Sequence, residues 1–582
     1  MPDVPDVPDV PDVPGRTDGA DASRPSRPDP DRLSGLTSWY SERWRGLRVA
    51  VLGLGATGFS VADTLVELGA AVLVLSSDAP EDRVELLHVI GAEFVQTPLD
   101  TTPDALVAFA PDLVIASPGL PPSNASILWS TGHSTVWGDI ELAWRVRDKV
   151  VRPDGIAPWV LVTGTNGKTT TVQLTTAMYA EAGHRVAACG NIGVPVLDVV
   201  RDPEGYDVLV VELSSHQLHT MPTDGPGAVV PLASTCLNLA DDHLEWHGSA
   251  DAYRAAKAKV YANTVLACVY NVADTATRTM VEDADVVEGC RAVGFTPGIP
   301  APGDVGVVEE VLCDRAFLDD RRNAALELAT HEDLAVAGLA SPHMLANVLA
   351  AAALARAGGV EPLAIRDAVR GFRADHHRTE LVTVRDGVTW VDDSKATNPH
   401  AASASLSAYE HVVWIVGGLF KGVDVAELVA RSGSSVRAVV VIGEDRTPVV
   451  EAFARHAPDV TLLEVTGIDT DQVMPEAVRF AAGVARSGDT VLLAPAAASF
   501  DQFESYGDRG RRFAAAVRDL PDPDLLDPDH ADHEHPHDEH PDRELSDHEH
   551  PGRELSDHEH LEGNADGEST DEPPAGHRDE PA

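Results

Sequence analysis

Trp159-Val-Leu-Val-Thr-Gly-Thr-Asn-Gly-Lys-Thr-Thr170 carries an apolar strand into a glycine-rich turn and then into an amphipathic helix. Backbone N–H groups of such a turn, backed by the helix N-terminus, form a cradle for phosphate oxygens. Lys168 adds a point charge for the β- and γ-phosphates, and the Thr169 hydroxyl is a ligand type suited to Mg²⁺. The consensus G-x-x-x-x-G-K-[ST] is not met in full, because Val162 stands at its first glycine. Lysine usage sharpens the reading. The chain has six lysines among 44 basic residues, so a lysine here marks a place where the planar fork of arginine would not serve. The stretch reads as an ATP site at a strand–loop–helix junction.

Outward from it, apolar β-branched runs alternate with helical patterns. Arg48-Val-Ala-Val-Leu, Ala71-Val-Leu-Val-Leu and Leu113-Val-Ile-Ala fit buried parallel strands, as do Val208-Leu-Val-Val, Val412-Val-Trp-Ile-Val, Ala438-Val-Val-Val-Ile and Thr490-Val-Leu-Leu. The fold class is therefore α/β, and 582 residues suffice for about three domains. Boundaries fall near Asp154–Pro158, just before the ATP strand, and near Arg373–His376, after an Ala-rich helix starting about His343. At the ends, Pro-Asp-Val repeats four times over residues 2–13. The tail repeats Arg-Glu-Leu-Ser-Asp-His-Glu-His from Arg543 and again from Arg553. Neither end can build a core, so both read as disordered arms; the His-rich tract can bind metal but reads as a solvated extension. About 22 acids in residues 521–582 account for much of the net charge of −49. That balance argues against a nucleic-acid partner. No apolar run reaches membrane-spanning length, and the N-terminus lacks a secretory pattern. Cys189, Cys236, Cys268, Cys290 and Cys313 show no C-x-x-C spacing and read as reduced thiols of a cytoplasmic protein.

Gly53-Leu-Gly-Ala-Thr-Gly58 after the first strand matches G-x-G-x-x-G, with Asp78 near the offset of a ribose-binding acid. Alone it suggests a dehydrogenase. Ser76 and Ser77 occupy the tip where the acid usually sits, however, and a separate ATP loop has no use in a simple dehydrogenase. The turn suits the diphosphate of any nucleotide-linked substrate. Downstream, Val208-Leu-Val-Val-Glu212 ends a strand in a carboxylate, the expected second arm of a Mg²⁺ site. His243, beside Asp241 and Asp242, reads equally as a capping or surface histidine and as a ligand. Lys257 and Lys259 share one short helix, whose plain reading is an exposed face.

Gly53–Ser60, Ala116–Gly119, Gly138–Glu141, Thr163–Thr170, Gly190–Pro195, Glu212–Leu218, Asp242-His243, Tyr253–Lys257, His377-Arg378, Asp392–Asn398, Gly417–Lys421 and Ala498–Phe503 run in an order that resembles the Mur ligases. The D-glutamate-adding branch is the most similar, and the likeness spans about residues 46–518. It implies a Rossmann-like UDP-substrate domain (45–156), a P-loop ATPase-like central domain with a parallel sheet (157–373) and a Rossmann-like ligase domain (374–520), and it leaves unexplained the two arms (1–44 and 521–582) that composition reads as disordered. The implied activity is ATP-dependent ligation of D-glutamate to UDP-N-acetylmuramoyl-L-alanine through an acyl phosphate, in peptidoglycan precursor synthesis, by a cytoplasmic monomer without membrane insertion.

Roles follow from the same resemblance. Gly164, Thr165, Asn166, Gly167, Lys168, Thr169 and Thr170 would cradle ATP, with Asn347, Arg378 and Asp393 also touching it. Two Mg²⁺ ions are implied, the first on Thr169 and Glu212, the second on His243 and a carbamylated Lys257. Lys395, Thr397, Lys421, Ser499 and Tyr506 would surround D-glutamate; Tyr506 stands where Phe is common. Thr57 would touch the diphosphate, Ser76 and Ser77 the uracil end, Ser117 and Asn191 further substrate groups. Ser76-Ser77 departs from the usual Asp-Thr. Lys168, His243, Lys257, Arg378 and Lys421 form the implied catalytic set. Alternatives are a sister ligase adding another amino acid, an NAD-dependent dehydrogenase, and a metal-buffering role confined to the tail. Against a sister ligase, the Lys395, Lys421 and Ser499 set favours D-glutamate, because a dicarboxylate needs cationic partners.

Overall fold

The computed structural model describes residues 33–373, 376–467 and 469–521. The expectations for residues 1–32 and 522–582, the Pro-Asp-Val repeat and the His-rich tail among them, lie outside the described residues.

Three sheets carry the described residues. The first holds β1 (Arg48–Leu52), β2 (Ala71–Ser76), β3 (Glu93–Gln96), β4 (Leu113–Ala116) and β5 (Thr135–Trp137) in the order 3-2-1-4-5, all parallel. The order reverses between β1 and β4, and at such a switch point the carboxyl ends of the strands leave a crevice for ligands. Gly58, in the first turn of the helix Ala56–Glu67, lies so close to the Gly53 carbonyl that a Cβ would collide with it. The glycine spacing thus serves helix–strand contact at the crevice.

The central sheet holds β6 (Trp159–Thr163), β7 (Val186–Gly190), β8 (Val208–Glu212), β9 (Ala233–Cys236), β10 (Ala267–Asn271), β11 (Arg291–Phe295), β12 (Val305–Val308), β13 (Val311–Asp314) and β14 (Leu326–Thr330). Its order is 14-13-12-11-10-9-6-8-7, parallel except for the antiparallel β12–β13–β14 edge. One face is covered by the helices Lys168–Glu181 and Pro342–Ala357. The latter is buried from Asn347 to Arg356, and its alanines permit close approach.

The third sheet holds β15 (Glu380–Arg385), β16 (Val388–Asp392), β17 (Val412–Gly417), β18 (Val436–Ile442), β19 (Thr461–Glu464) and β20 (Thr490–Leu493) in the order 15-16-20-17-18-19. Only its β15–β16 edge is antiparallel. Both of its faces are covered, which is why its inner strands β17, β18 and β20 carry long apolar runs.

The first and central sheets are joined by a shared core. All eight residues of the helix Asp139–Val146 are buried, with Trp144 edge-on to Trp159 at 5.0 Å between ring centroids. Gln217 Nε2 donates across this interface to Asp139 Oδ2 at 2.9 Å.

Order begins earlier than the disordered arm 1–44 implies. Leu33 and Leu36 are 4 % and 0 % exposed, Trp44 is 0 % exposed, and Arg145 Nη1 donates to the Leu36 carbonyl at 2.9 Å. The arm's composition, averaged over Pro, Asp and Arg, hides an apolar pair at i, i+3 that reaches the core. Among the described residues no helix is long and apolar enough to cross a membrane. All five cysteines are free thiols.

Candidate active site

β6 ends in the loop Gly164–Gly167, and the helix Lys168–Glu181 starts from it. Gly167 lies in the left-handed region at φ 83°, where a Cβ would strike Asn347 Oδ1, so glycine is required both for the turn and for the neighbour. The Thr165 hydroxyl is tied to the Ala240 carbonyl at 3.1 Å and the Tyr253 hydroxyl at 2.9 Å. Lys168 Nζ donates to the carbonyls of Gly164 (2.9 Å) and Thr165 (2.8 Å). Lys257 Nζ donates to the same Gly164 carbonyl at 2.8 Å and to Thr163 Oγ1 at 3.2 Å. Lys257 is 2 % exposed, so the exposed-face reading of its helix, Ala250–Ala258, fails for this residue. Burial, then the neighbouring Lys168 charge, brings the Lys257 ammonium down to about 7. Lys168 is lowered too, chiefly by burial, against the pull of Glu212 and Asp242.

Glu212 ends β8 beside this pair, 2 % exposed. Its Oε1 accepts from Asn191 Nδ2 at 3.1 Å, while the buried Oε2 has no partner among the described residues. An orphaned carboxylate oxygen costs free energy unless a cation or donor reaches it. His243 occupies the N-cap position of the turn Leu244–His247 at φ 52° but makes no side-chain capping bond. Its ring meets His216 edge-on at 4.6 Å, and its Nε2 is 3.6 Å from Asp242 Oδ2. Burial and then the Lys421, Lys168 and Lys257 charges push His243 down to about 3, leaving a neutral imidazole with a free lone pair.

The third sheet's leading edge closes over the loop. Asn166, Gly167, Thr170, Asn347, Arg378, Asp393 and Lys395 line one cavity of about 570 Å³, a size suited to a small-molecule ligand. Arg378 sits between two left-handed residues, His377 (φ 68°) and Thr379 (φ 50°), and the His377 ring is pinned to Asp392 Oδ2 at 2.7 Å. Non-glycine residues in this region persist only where surroundings hold them. Buried Asp393 bonds the Ser405 hydroxyl, and burial raises its carboxyl to about 6.

Lys395 Nζ lies 3.7 Å from the Tyr506 ring centroid. Leu419 and Ala498 exchange backbone hydrogen bonds (2.9 and 3.0 Å), which sets the loop bearing Lys421 against the one bearing buried Ser499. Thr397 lies between Lys395 and the N-cap residue Asn398. Lys168, Glu212, His243, Lys257, Thr397, Lys421, Ser499 and Tyr506 are outside the cavity lining, as are the residues expected at the UDP end. Thr57 is in the first turn after the Gly53 loop, Ser76 and Ser77 are at the end of β2, and Ser117 follows β4, all at the carboxyl edge of the first sheet. Thr169 is in the first turn of its helix, outside the cavity lining.

Set beside known proteins, residues 162–355 match the Mur ligase middle domain and residues 377–497 match the Mur ligase glutamate ligase domain. The UDP-N-acetylmuramoylalanine–D-glutamate ligase of Leifsonia xyli subsp. xyli is 59 % identical over 494 residues, covering 84 % of this chain and 95 % of that one. The chain belongs to the Mur ligase family. The ligase of the same name from Streptomyces avermitilis is 49 % identical over 478 residues, covering 82 % of this chain and 99 % of its own. Among solved structures, UDP-N-acetylmuramate-alanine ligase from Thermotoga maritima is 18 % identical with a TM-score of 0.49, covering 81 % of this chain and 99 % of that chain.

Several cavity residues of this Mur ligase escape a reading of its sequence. Asn238, Asn271, Asp274, Phe295, His343 and His400 all line the cavity. Asn271 closes the apolar run Ala267–Asn271, and the carboxyl end of a parallel strand was the one available signal. Asp274 caps the helix Thr275–Glu282 and accepts from the Leu239 N–H at 2.8 Å, which fixes the rim. His216, stacked on Trp246 at 4.3 Å, lies in the Glu212–Leu218 stretch and outside the cavity lining.

Proposed function

We propose that this Mur ligase joins D-glutamate to UDP-N-acetylmuramoyl-L-alanine with consumption of ATP, through an acyl-phosphate intermediate, in peptidoglycan precursor synthesis. The observation that carries the reading is the single cavity in which Gly167 and Asn347 of the central domain meet Arg378, Asp393 and Lys395 of the third. The relatives' printed names supply the substrate pair.

A carboxylate is a poor acyl donor because its leaving group would be oxide. Taking the γ-phosphoryl group makes an acyl phosphate, which the amine of D-glutamate attacks with loss of phosphate. Phosphoryl transfer asks for charge neutralisation and in-line placement. The loop N–H groups, Lys168 and Arg378 would hold the phosphates, and Asn347 and Asp393 the rest of the nucleotide. The same cations would stabilise the oxyanion that forms when the amine adds. Lys395, Thr397, Lys421, Ser499 and Tyr506 would receive D-glutamate, whose two carboxylates need cationic partners. Thr57, Ser76, Ser77 and Ser117 would bind the UDP end at the switch point of the first sheet, and Asn191 the substrate near Glu212.

The residues present fit two Mg²⁺ ions. Thr169 and Glu212 would hold one, supported by the unpartnered Glu212 Oε2; His243 and a carbamylated Lys257 would hold the other, supported by the neutral imidazole. Such ions, when bound, supply positive charge to the phosphate oxygens. A lysine brought down to about 7 has the free amine that adds to CO₂, giving an anionic carbamate and a proton. Because one chain supplies every group, the ligase is read as a monomer, and its free thiols suit the cytoplasm.

The test is phosphate release from ATP with UDP-N-acetylmuramoyl-L-alanine, comparing D-Glu with L-Glu, L-Lys and meso-diaminopimelate. Release should require D-Glu and stop in Lys168→Ala. Release with another of these amino acids would move the enzyme to a sister activity, and none with any would refute the reading.

A further inference from the structure

Asn166 divides its bonding between two domains. Its backbone belongs to the central one: the N–H donates to Asn238 Oδ1 at 2.9 Å, and its carbonyl accepts from Asn238 Nδ2 at 3.1 Å. Its side chain turns to the third domain. Asn398 Nδ2 donates to Asn166 Oδ1 at 3.0 Å, while Asn166 Nδ2 donates to Asn398 Oδ1 at 3.3 Å and to His400 Nδ1 at 3.0 Å. Asn398 is 5 % exposed and caps the helix Pro399–Leu406, its Oδ1 accepting from the Ala401 N–H at 2.9 Å.

That cap fixes every orientation in the set. Asn398 Oδ1 must be the atom facing Ala401, so its Nδ2 faces Asn166 as a donor. Asn166 must then offer its oxygen to Asn398 Nδ2, leaving both hydrogens of its Nδ2 for Asn398 Oδ1 and His400. His400 Nδ1 is accordingly the acceptor, with its proton on Nε2. A helix cap in one domain thereby dictates the rotamer of a phosphate-loop side chain in the other.

The segment leading into Asn398 carries the cavity groups. Asp393 and Lys395 precede it by five and three residues. The chain between them is tightly bonded, with Ala396 N–H to the Asp393 carbonyl at 2.9 Å and Thr397 N–H to the Lys395 carbonyl at 2.8 Å. Lys395 N–H also reaches the carbonyl of His377, next to Arg378, at 3.2 Å. A hold on Asn398 is therefore a hold on Arg378, Asp393 and Lys395 together.

We propose that Asn398 is a positioning residue for the ligation: its reciprocal amide pair with Asn166 latches the third domain onto the phosphate loop and keeps Arg378, Asp393 and Lys395 in register with the nucleotide. The latch rests on the ligase reading for its catalytic consequence, not for its geometry.

Asn398→Ser is the informative substitution in the full chain, because serine keeps the cap yet is too short to bridge to Asn166. Losing two neutral hydrogen bonds should lower kcat/KM for D-glutamate by about tenfold or more, with kcat falling, while the melting temperature stays within about 2 °C. Asn166→Ser should do the same, and the double variant should be no worse than the poorer single variant. A wild-type rate in Asn398→Ser, or losses that multiply in the double variant, would overturn the latch. Solution scattering with a non-hydrolysable ATP analogue gives a readout free of catalysis. Wild-type protein should contract more than Asn398→Ser, and identical curves would overturn the latch. An inactive wild-type enzyme would instead refute the ligase reading.

Discussion

Lys168 Nζ and Lys257 Nζ sit 2.9 and 2.8 Å from one carbonyl oxygen, that of Gly164. Two ammonium groups cannot share a buried acceptor without cost, and the one brought down to about 7 is Lys257. Its free amine is the form that takes up CO₂. Activity in CO₂-depleted buffer should therefore fall and return on adding bicarbonate, whereas Lys257→Arg should stay inactive in both; an indifferent wild-type rate would contradict this. Gly167→Ala forces a Cβ into Asn347 Oδ1 at a φ of 83°. It should weaken ADP binding by about tenfold or more in a titration calorimeter, and unchanged affinity would show that the loop relaxes. At this scale the sequence was readable for Lys168, whose turn and helix announce it. It was not readable for the environment of Lys257. A helix rich in Asp, Arg and Lys looks solvated, and nothing in its spacing says that one lysine points under the loop.

The helix Asp139–Val146 begins with a carboxylate where the first and central domains meet. Asp139 is 6 % exposed, its Oδ1 has no partner among the described residues, and burial raises it from 3.8 to about 6 against the bond from Gln217. Between about pH 4 and 6 the folded protein holds that proton while the unfolded chain has lost it. Stability from this group therefore falls as pH rises through the window, and the full cost stands above it. At about 1.4 kcal/mol per pH unit, Asp139→Asn should stabilise the protein at pH 7.5 by about 1–2 kcal/mol and flatten the melting temperature between pH 4 and 6. A destabilised variant would contradict the burial argument. Strands with both faces covered were legible because of apolar runs such as Val49–Leu52, Val208–Val211, Val412–Val416 and Ala438–Ile442. Edge strands were not. β15 shows no buried residue and β3 only partial burial, so neither stands out from its flanks. The docking of Leu33 and Leu36 was hidden by the composition around them.

Across the whole molecule, residues 33–520 contain all three sheets and every residue of the proposed site. A chain ending at Leu520 should keep kcat/KM within about twofold of the full chain, and a large loss would give the acidic tail a part in catalysis. The three-domain order was legible because the phosphate loop, the first glycine turn and the strand-end acid lie in separate stretches. The meeting of Asn166 with Asn398 was not, since 232 residues separate them and no pattern in either stretch names the other. In the proposed reaction the substrate carboxylate is activated by the γ-phosphoryl group before the amine attacks. UDP-N-acetylmuramoyl-L-alanine carrying ¹⁸O in its alanyl carboxylate tests it. One labelled oxygen is expected in each phosphate released with D-glutamate; unlabelled phosphate alongside product formation would refute this order of steps.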